Sequence, residues 1–287
     1  MGSNILMPMK KGIVTIATRH PLYGRFAYNL AVSLRAVAPH IPMTIIADAV
    51  GVSHLDQMQL TVFDSIIYAD QQDYHNENKC TPLTLKYHLY KYSPYEATIF
   101  VDADTIFSPF ANVDHVFSQL AGVEFTMANR GKQDPSKGVS EWVESGSVDV
   151  PYWYDLSSEF IYFEKGDKAM QVFTEALEAY QHSNLPTKMF AGDKPDEPFF
   201  MLGMIATGTH PHRTPFKPVF WHIQEQGFHS SIDVKKQWAM MSLGGKSIPK
   251  RIHDIYKEIC HNVTYQNLVY RRRDSLPRGD ENKRVAP

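Results

Sequence analysis

An α/β fold built on a mostly parallel, doubly wound sheet is the architecture this sequence predicts. Three observations lead there. Short apolar, β-branched runs recur through the N-terminal half, segments with apolar residues at helical spacing separate them, and prolines mark the junctions. Runs that are apolar on both faces suit strands covered on both sides, as parallel strands are.

Residues 12–17 form the first such run, containing Ile13, Val14, Thr15 and Ile16. Phe26, Leu30 and Leu34, with Ala27 and Ala31 between them, predict a helix over 23–37 that Pro39 and Pro42 stop. Residues 43–47 and 65–68 read as the second and third strands. A helix is expected over 83–92, stopped at Ser93-Pro94, and a fourth strand over 97–101 runs straight into Asp102. Residues 130–151 are rich in Gly, Ser, Pro and charge, which predicts a long surface loop of the kind that often carries function. A strand returns at 160–163. The helix expected over 167–181 carries Met170, Phe173, Leu177 and Tyr180 along one face. No internal repeat or low-complexity tract interrupts the pattern.

Composition narrows the function classes. With 287 residues, 43% of them hydrophobic and 21% charged, the chain has material for one large domain that needs no disulfide or structural metal. Cys80 and Cys260 fit neither a disulfide framework nor a zinc pattern and read as reduced thiols. A net charge of −2 gives no global case for nucleic-acid binding. The exception is local: Arg271, Arg272 and Arg273, followed by Arg278, Lys283 and Arg284, form a basic tail that is either simply solvated or a contact for an anionic acceptor. The first eleven residues lack a signal-peptide core, and no stretch is long and apolar enough to span a bilayer, so the expected location is cytoplasmic.

Ligands of doubly wound sheets sit beyond the carboxyl ends of the strands, which draws Thr18, Asp48 and the Asp102 segment to one crevice. There Asp102-Ala103-Asp104 brings two carboxylates together at the end of a buried strand. Carboxylates so placed repel each other and resist desolvation unless a cation or protons compensate them. A hard divalent ion, Mn²⁺ or Mg²⁺, is the simplest compensation.

The segment from Ala97 through Asp102, Ala103 and Asp104 to Ile106 resembles the hallmark of GT-A glycosyltransferases. The similarity is greatest to the family 8 group, which includes glycogenin and the bacterial lipopolysaccharide galactosyltransferases. It extends, with falling specificity, over roughly residues 11–257. The resemblance implies a Rossmann-like GT-A sheet with a C-terminal substrate-side extension, a nucleotide-diphosphate sugar as donor (a UDP-sugar by preference), and retention of anomeric configuration. It implies that Asp102, Asp104 and a C-terminal histidine, matched by His253, hold the metal, with His222 and His229 as rivals. Ala103 would lie against the donor. Lys86, sixteen positions before Asp102, and Lys257 would face the diphosphate. Thr15, Ala17, Thr18 and Tyr23 would line the nucleotide. Asp196 or Glu197 would stand by the anomeric carbon, steadying an oxocarbenium-like transition state or acting as general base. Plainer readings stand beside these: a solvated helix lysine for Lys86, a packing aromatic for Tyr23, and helix capping for Asp196 and Glu197.

Two departures matter. The family's Asn-x-Gly before the middle strand is replaced by Leu156, Ser157, Ser158 and Glu159, and its C-terminal His-x-x-Gly-x-x-Lys signature is degraded. The first puts the sugar pocket in doubt.

The expected organisation is a single catalytic domain over 10–262, with a nucleotide-binding half at 10–110 and an acceptor or sugar half at 111–262, and the basic tail at 263–287. The expected activity is metal-dependent transfer of a hexose or pentose to an acceptor hydroxyl on a saccharide, a lipid-linked saccharide, a protein or a modified base in DNA. For DNA, Arg130, Lys132, Lys137 and the tail arginines would track phosphates. Two other classes are a sugar-nucleotide pyrophosphorylase, which the missing glycines at 17–22 argue against, and an inactive nucleotide-sugar-binding module, which the intact Asp pair argues against.

Overall fold

The computed structural model describes residues 10–76, 79–108, 111–134, 142–143, 149–190, 192–220 and 239–242. His253, Lys257, the rival histidines His222 and His229 and the basic tail lie outside them, as does Lys137.

β1 (Lys11–Ala17) is the founding strand, apolar enough to be covered on both faces. His20 caps the following helix α1 (Pro21–Val37): its Nδ1 accepts the Leu22 N–H at 3.1 Å, and Pro21 supplies a backbone already set for the first turn. The chain returns through β2 (Met43–Ala47), the short helix α2 (Gln57–Leu60) and β3 (Ser65–Tyr68). A 3-10 turn, Gln71–Asp73, leads to the two-residue strands β4 (His75–Asn76) and β5 (Lys79–Cys80). The helix expected over 83–92 is a 3-10 helix, Pro82–His88, that tightens into one α-turn, α3 (Leu89–Tyr92). β6 (Ala97–Val101), β7 (Thr105–Phe107) and α4 (Val113–Leu120) follow. β8 (Phe125–Gln133) extends into the region read as a surface loop, and β9 (Trp153–Glu164) begins just after it. Val143, also within that region, forms an isolated bridge to Thr187. The strand expected at 160–163 is the second half of β9. α5 (Asp167–His182), α6 (Glu197–Ala206), β10 (Val219–Phe220) and β11 (Met240–Ser242) complete the described elements.

The main sheet runs β3-β2-β1-β6-β9-β8. The first four strands are parallel, and β9 is antiparallel to both β6 and β8. Strand and helix placements over the N-terminal half agree with the sequence pattern. The antiparallel β9 does not announce itself there, because a buried strand is apolar whichever way it runs. A small second sheet, β10-β11-β7, sets Ser242 opposite Thr105.

Both faces of the main sheet are covered. On one, Phe26, Leu30 and Leu34 of α1 and Phe117 of α4 pack with Ile13, Ile45, Ile99 and Phe160. On the other, Phe173 of α5 meets Phe125, Phe163 and Phe200 edge-on, with ring centroids 5.0–5.8 Å apart. Each of these rings, fully buried, contributes about 1.5–3 kcal/mol.

The crevice at the carboxyl edge depends on close backbone contact. A Cβ on Gly51, in the loop after β2, would stand 1.9 Å from the Ala17 carbonyl oxygen; one on Gly24, in the first turns of α1, would stand 2.2 Å from the Gly51 carbonyl oxygen. The β1 end, the α1 start and the β2 loop therefore interlock with no room for side chains. Gly51→Ala is expected to destabilise the fold by about 2 kcal/mol or more, since backbone must move. Gly166→Ala, at a position with nothing within 4 Å of its Cβ, should cost less than about 1 kcal/mol. Urea denaturation of the two variants separates these outcomes.

Candidate functional site

The site begins where β6 delivers its buried chain to two carboxylates. Asp102 follows Val101, and a turn in which the Thr105 N–H donates to the Asp102 carbonyl at 3.1 Å carries Asp104 to the start of β7. Across the ladder the Asp102 N–H donates to the Glu159 carbonyl, also at 3.1 Å. The pairing of β9 with β8 passes from Met127–Ile161 to Ala128–Ser157, which leaves Ser158, Glu159 and Phe160 unmatched on that side. Bulges of this sort re-aim side chains, and here they turn Ser158 and Glu159 into the site.

Lys86 is the cation at its centre. The 3-10 helix places it 6% exposed, over the Phe100 ring. Its Nζ lies 3.0 Å from Asp102 Oδ1 and 3.2 Å from Asp196 Oδ2, and it donates to Ser158 Oγ at 2.8 Å. Burial alone would lower the Lys86 pKa, but the charges of Asp102, Asp196 and Glu197 overcome it and raise the pKa, so the ammonium keeps its proton. It is not a solvated helix lysine.

Asp196 precedes the first residue of α6 and makes no side-chain cap. Its carbonyl takes that duty, accepting the N–H groups of Phe199 and Phe200 at 3.1 Å each. The carboxylate, 3% exposed, is thereby left to pair with Lys86. Burial, with Asp196 next to it, pushes the Glu197 carboxyl up to about 8. Burial also raises the Asp102 carboxyl, against the opposing pull of Lys86.

Glu159 stands on the Asp104 side. Its Oε1 accepts from Ser242 Oγ at 2.9 Å, while Oε2 is buried with no hydrogen-bond partner among the described residues. Burial, then the charges of Asp104 and Asp102, push this carboxyl up to about 8. Tyr23 faces the same pair: burial raises its phenol, and Asp104 and Asp102 add to that. It also packs edge-on against Phe26.

The rest of the crevice wall comes from the ends of β1 and β2. Asp48 accepts the Arg19 N–H at 2.8 Å and the Gly51 N–H at 2.5 Å, which ties the two loops together. Arg19 is exposed and left-handed, with φ 71°, a strained geometry for a residue with a Cβ. Thr18 is buried beside it.

The structure thus brings Tyr23, Lys86, Asp102, Asp104, Asp196 and Glu197 around one edge, with Ala103 buried between the two aspartates. It does not bring Thr15 and Ala17 to the crevice wall: both are fully buried, because β1 is a central strand with neighbours on both sides and helices on both faces. Glu159, Ser158 and Ser242 are the residues that sequence reasoning missed. An acid directly before the apolar run Phe160–Phe163 was the available signal for Glu159. Among the described residues, no three His, Cys, Asp or Glu side chains converge in metal-binding geometry. The carboxylates are arranged around Lys86 instead.

Two outcomes follow for the unliganded protein. Lys86→Met should destabilise it by about 3 kcal/mol or more in urea, because carboxylates stay buried without their partner. Adding Asp196→Asn should restore part of that loss. For Glu159 and Glu197 the ordinary value is 4.5 and the folded value about 8. The unfolded chain releases these protons first, so each raised pKa costs stability as pH climbs from about 4.5 to 8. In EDTA the melting temperature should fall across that window. Glu197→Gln should flatten the fall, and an unchanged slope would contradict the assignment.

No protein-family model matches this chain, and no curated protein does. Solved structures do. WbbM, a bifunctional glycosyltransferase in its apo form, superposes with TM-score 0.56 at 13% identity, covering 94% of this chain and 52% of its own. The chain thus spans about half the length of that protein. The galactosyltransferase LgtC, in complex with donor and acceptor sugar analogues, superposes with TM-score 0.52 at 11% identity, covering 86% of this chain and 95% of its own. An active-site mutant of LgtC gives TM-score 0.51 at 12% identity. Together with the strand order and the position of the Asp pair, these likenesses show that the chain has the GT-A fold.

Proposed function

We propose that the protein is a metal-dependent glycosyltransferase that moves a sugar from a nucleotide diphosphate to an acceptor hydroxyl. The observation that carries this reading is the surplus of carboxylates at the β6 edge. Asp102, Asp196 and Glu197 gather there around the Lys86 ammonium, with Asp104 and Glu159 beside them. The buried, unpartnered Glu159 Oε2 marks where compensation is missing. A divalent cation fits that deficit, and the donors are all oxygens, which suits Mn²⁺ or Mg²⁺.

Asp102 and Asp104 would hold the ion, with His253 as the candidate further ligand. Bound there, it would polarise the diphosphate and stabilise its charge as leaving group. The chain's own groups divide the remaining work. Lys86 holds Asp102 and Asp196 in fixed relation, linking the diphosphate side to the sugar side. Its positive charge also favours anionic phosphate nearby, and Lys257 would add to this. Asp196 is the better candidate to face developing positive charge at the anomeric carbon. Glu197, whose carboxyl is pushed up to about 8 by burial and the Asp196 charge, would be the stronger base of the two acids once ionised. Tyr23 at the start of α1 and Thr18 just beyond β1 would line the nucleotide. Retention of configuration, a UDP-sugar donor and a saccharide or lipid-linked saccharide acceptor complete the reading by family resemblance. LgtC, which shares the fold, is a galactosyltransferase, and that similarity gives the reading its direction.

Calorimetric titration with UDP and GDP, each with Mn²⁺ and then with EDTA, tests the proposal. One nucleotide should bind only with the metal, and Asp104→Ala should weaken that binding at least about a hundredfold. Failure of the folded protein to bind either nucleotide would sink the reading.

A further inference from the structure

A donor diphosphate brings negative charge to an edge that already holds several carboxylates, so it calls for a cation that the protein has not already engaged. Lys86 does not meet that need by itself. Its ammonium lies 3.0 Å from Asp102 and 3.2 Å from Asp196, and it donates to Ser158. Other described cations are committed as well: Lys11 to Asp114, and Lys91 to Asp70 and Asp73.

Arg19 differs. It stands between the end of β1 and the start of α1, and it is exposed. Among the described residues its guanidinium has no hydrogen-bond or ion-pair partner; its backbone N–H is held instead, donating to Asp48 Oδ2 at 2.8 Å. Its φ of 71° is the one positive value at a non-glycine residue among the described residues. Glycine or asparagine would take this turn at less cost, so the backbone geometry alone does not call for arginine. Asp48 and the interlocked Gly24 and Gly51 hold the turn in place, which fixes the root of the side chain at the carboxyl end of β1. The Arg19 charge acts on the Tyr23 phenol together with those of Asp104, Asp102 and Lys86, which places it in the same crevice.

Other features carry less. The cavity between α1 and α2, about 600 Å³ and lined by Tyr28, Arg35, Met58 and Asp64, has its arginine committed to Asp64 and to backbone carbonyls. The rings of Trp142 and Phe190 meet edge-on at 5.3 Å, but that contact alone identifies no occupant.

We propose that Arg19 is a phosphate-binding residue of this site, its guanidinium taking the diphosphate of the nucleotide donor. This rests on the glycosyltransferase reading above, and it adds a cation to Lys86 and Lys257. A planar fork suits two phosphate oxygens at once, where an ammonium acts as a point charge. The strained backbone is retained because it delivers that fork to the crevice.

Calorimetric titration of the full chain with UDP and GDP in Mn²⁺ tests this, comparing the parent with Arg19→Asn and Arg19→Lys. Asparagine accepts the positive φ, so the turn is kept while the charge is removed. Melting curves in EDTA confirm that each variant is folded. Arg19→Asn should weaken binding of the preferred nucleotide about tenfold or more, and Arg19→Lys by less, since the charge stays and only the fork is lost. Raising the salt from about 50 to about 500 mM should weaken the parent's binding by a larger factor than that of Arg19→Asn, because screening acts on a charge the variant lacks. Unchanged affinity in Arg19→Asn, or a loss that keeps the parent's salt dependence, would overturn the Arg19 assignment and leave the glycosyltransferase reading standing. If the folded parent binds neither nucleotide, both fall together.

Discussion

The ion pairing of Lys86 with Asp102 and Asp196 is the interaction on which the rest of the site depends. It joins three parts of the chain that are distant in sequence: the 3-10 helix before β6, the end of β6, and the start of α6. Without the ammonium, α6 would present Asp196 and Glu197 to Asp102 across a low-dielectric gap. The repulsion would work against the aromatic packing that holds α6 to the sheet. Phe199 and Phe200, immediately after those acids, are fully buried, so the helix cannot retreat to relieve it. Packing forces the carboxylates together, and Lys86 makes the arrangement tolerable.

One ammonium is not enough for all of them. The pKa directions show how the surplus is handled: Lys86 is driven up by its acidic neighbours, while Asp102, Glu159 and Glu197 are driven up by burial and then by the nearest aspartates. Raised carboxyl pKa values let part of the surplus negative charge be carried as protonated acid. Such a site is destabilised for its own purpose. A scaffold built only for stability would bury leucine at these positions, and breaking the local rule at a strand end is characteristic of functional edges.

Much of this was legible in the sequence, for identifiable reasons. β1, β2 and β6 are short continuous apolar runs because they are parallel and covered on both faces, which is the clearest strand signal available; β3, at the sheet edge, is only half-buried. The Asp pair stood out because a carboxylate directly after such a run needs an explanation. Lys86, Asp196 and Glu197 were found through resemblance, and the geometry then replaced capping with ion pairing for Asp196. Other features were not legible. Apolar spacing does not tell the 3-10 helix Pro82–His88 from an α-helix. Thr15 and Ala17 looked like crevice residues because position along β1 is visible in sequence and burial at its centre is not. Glu159 was hidden because its role depends on a bulge, and a bulge comes from the pairing of two strands rather than from either strand's own pattern.

The departure from the expected pattern at 156–159 coincides with the β9 bulge, where Ser158 meets Lys86 and Glu159 lies on the Asp104 side. Where the family pattern places a glycine, this chain places an acid nearby and supports it with Ser242 from a separate strand. An acid inserted by drift into a buried strand end would be costly with one oxygen orphaned, and substitution by glutamine or an apolar residue would relieve it. Having both the acid and a hydroxyl aimed at its rear oxygen makes physical sense if the front oxygen acquires a partner during function. The bulge, the serine and the unpaired oxygen are three separate features. They meet at the strand end where Asp102, Asp104 and Lys86 also converge, so one bend in β9 sets several polar contacts of the crevice at once.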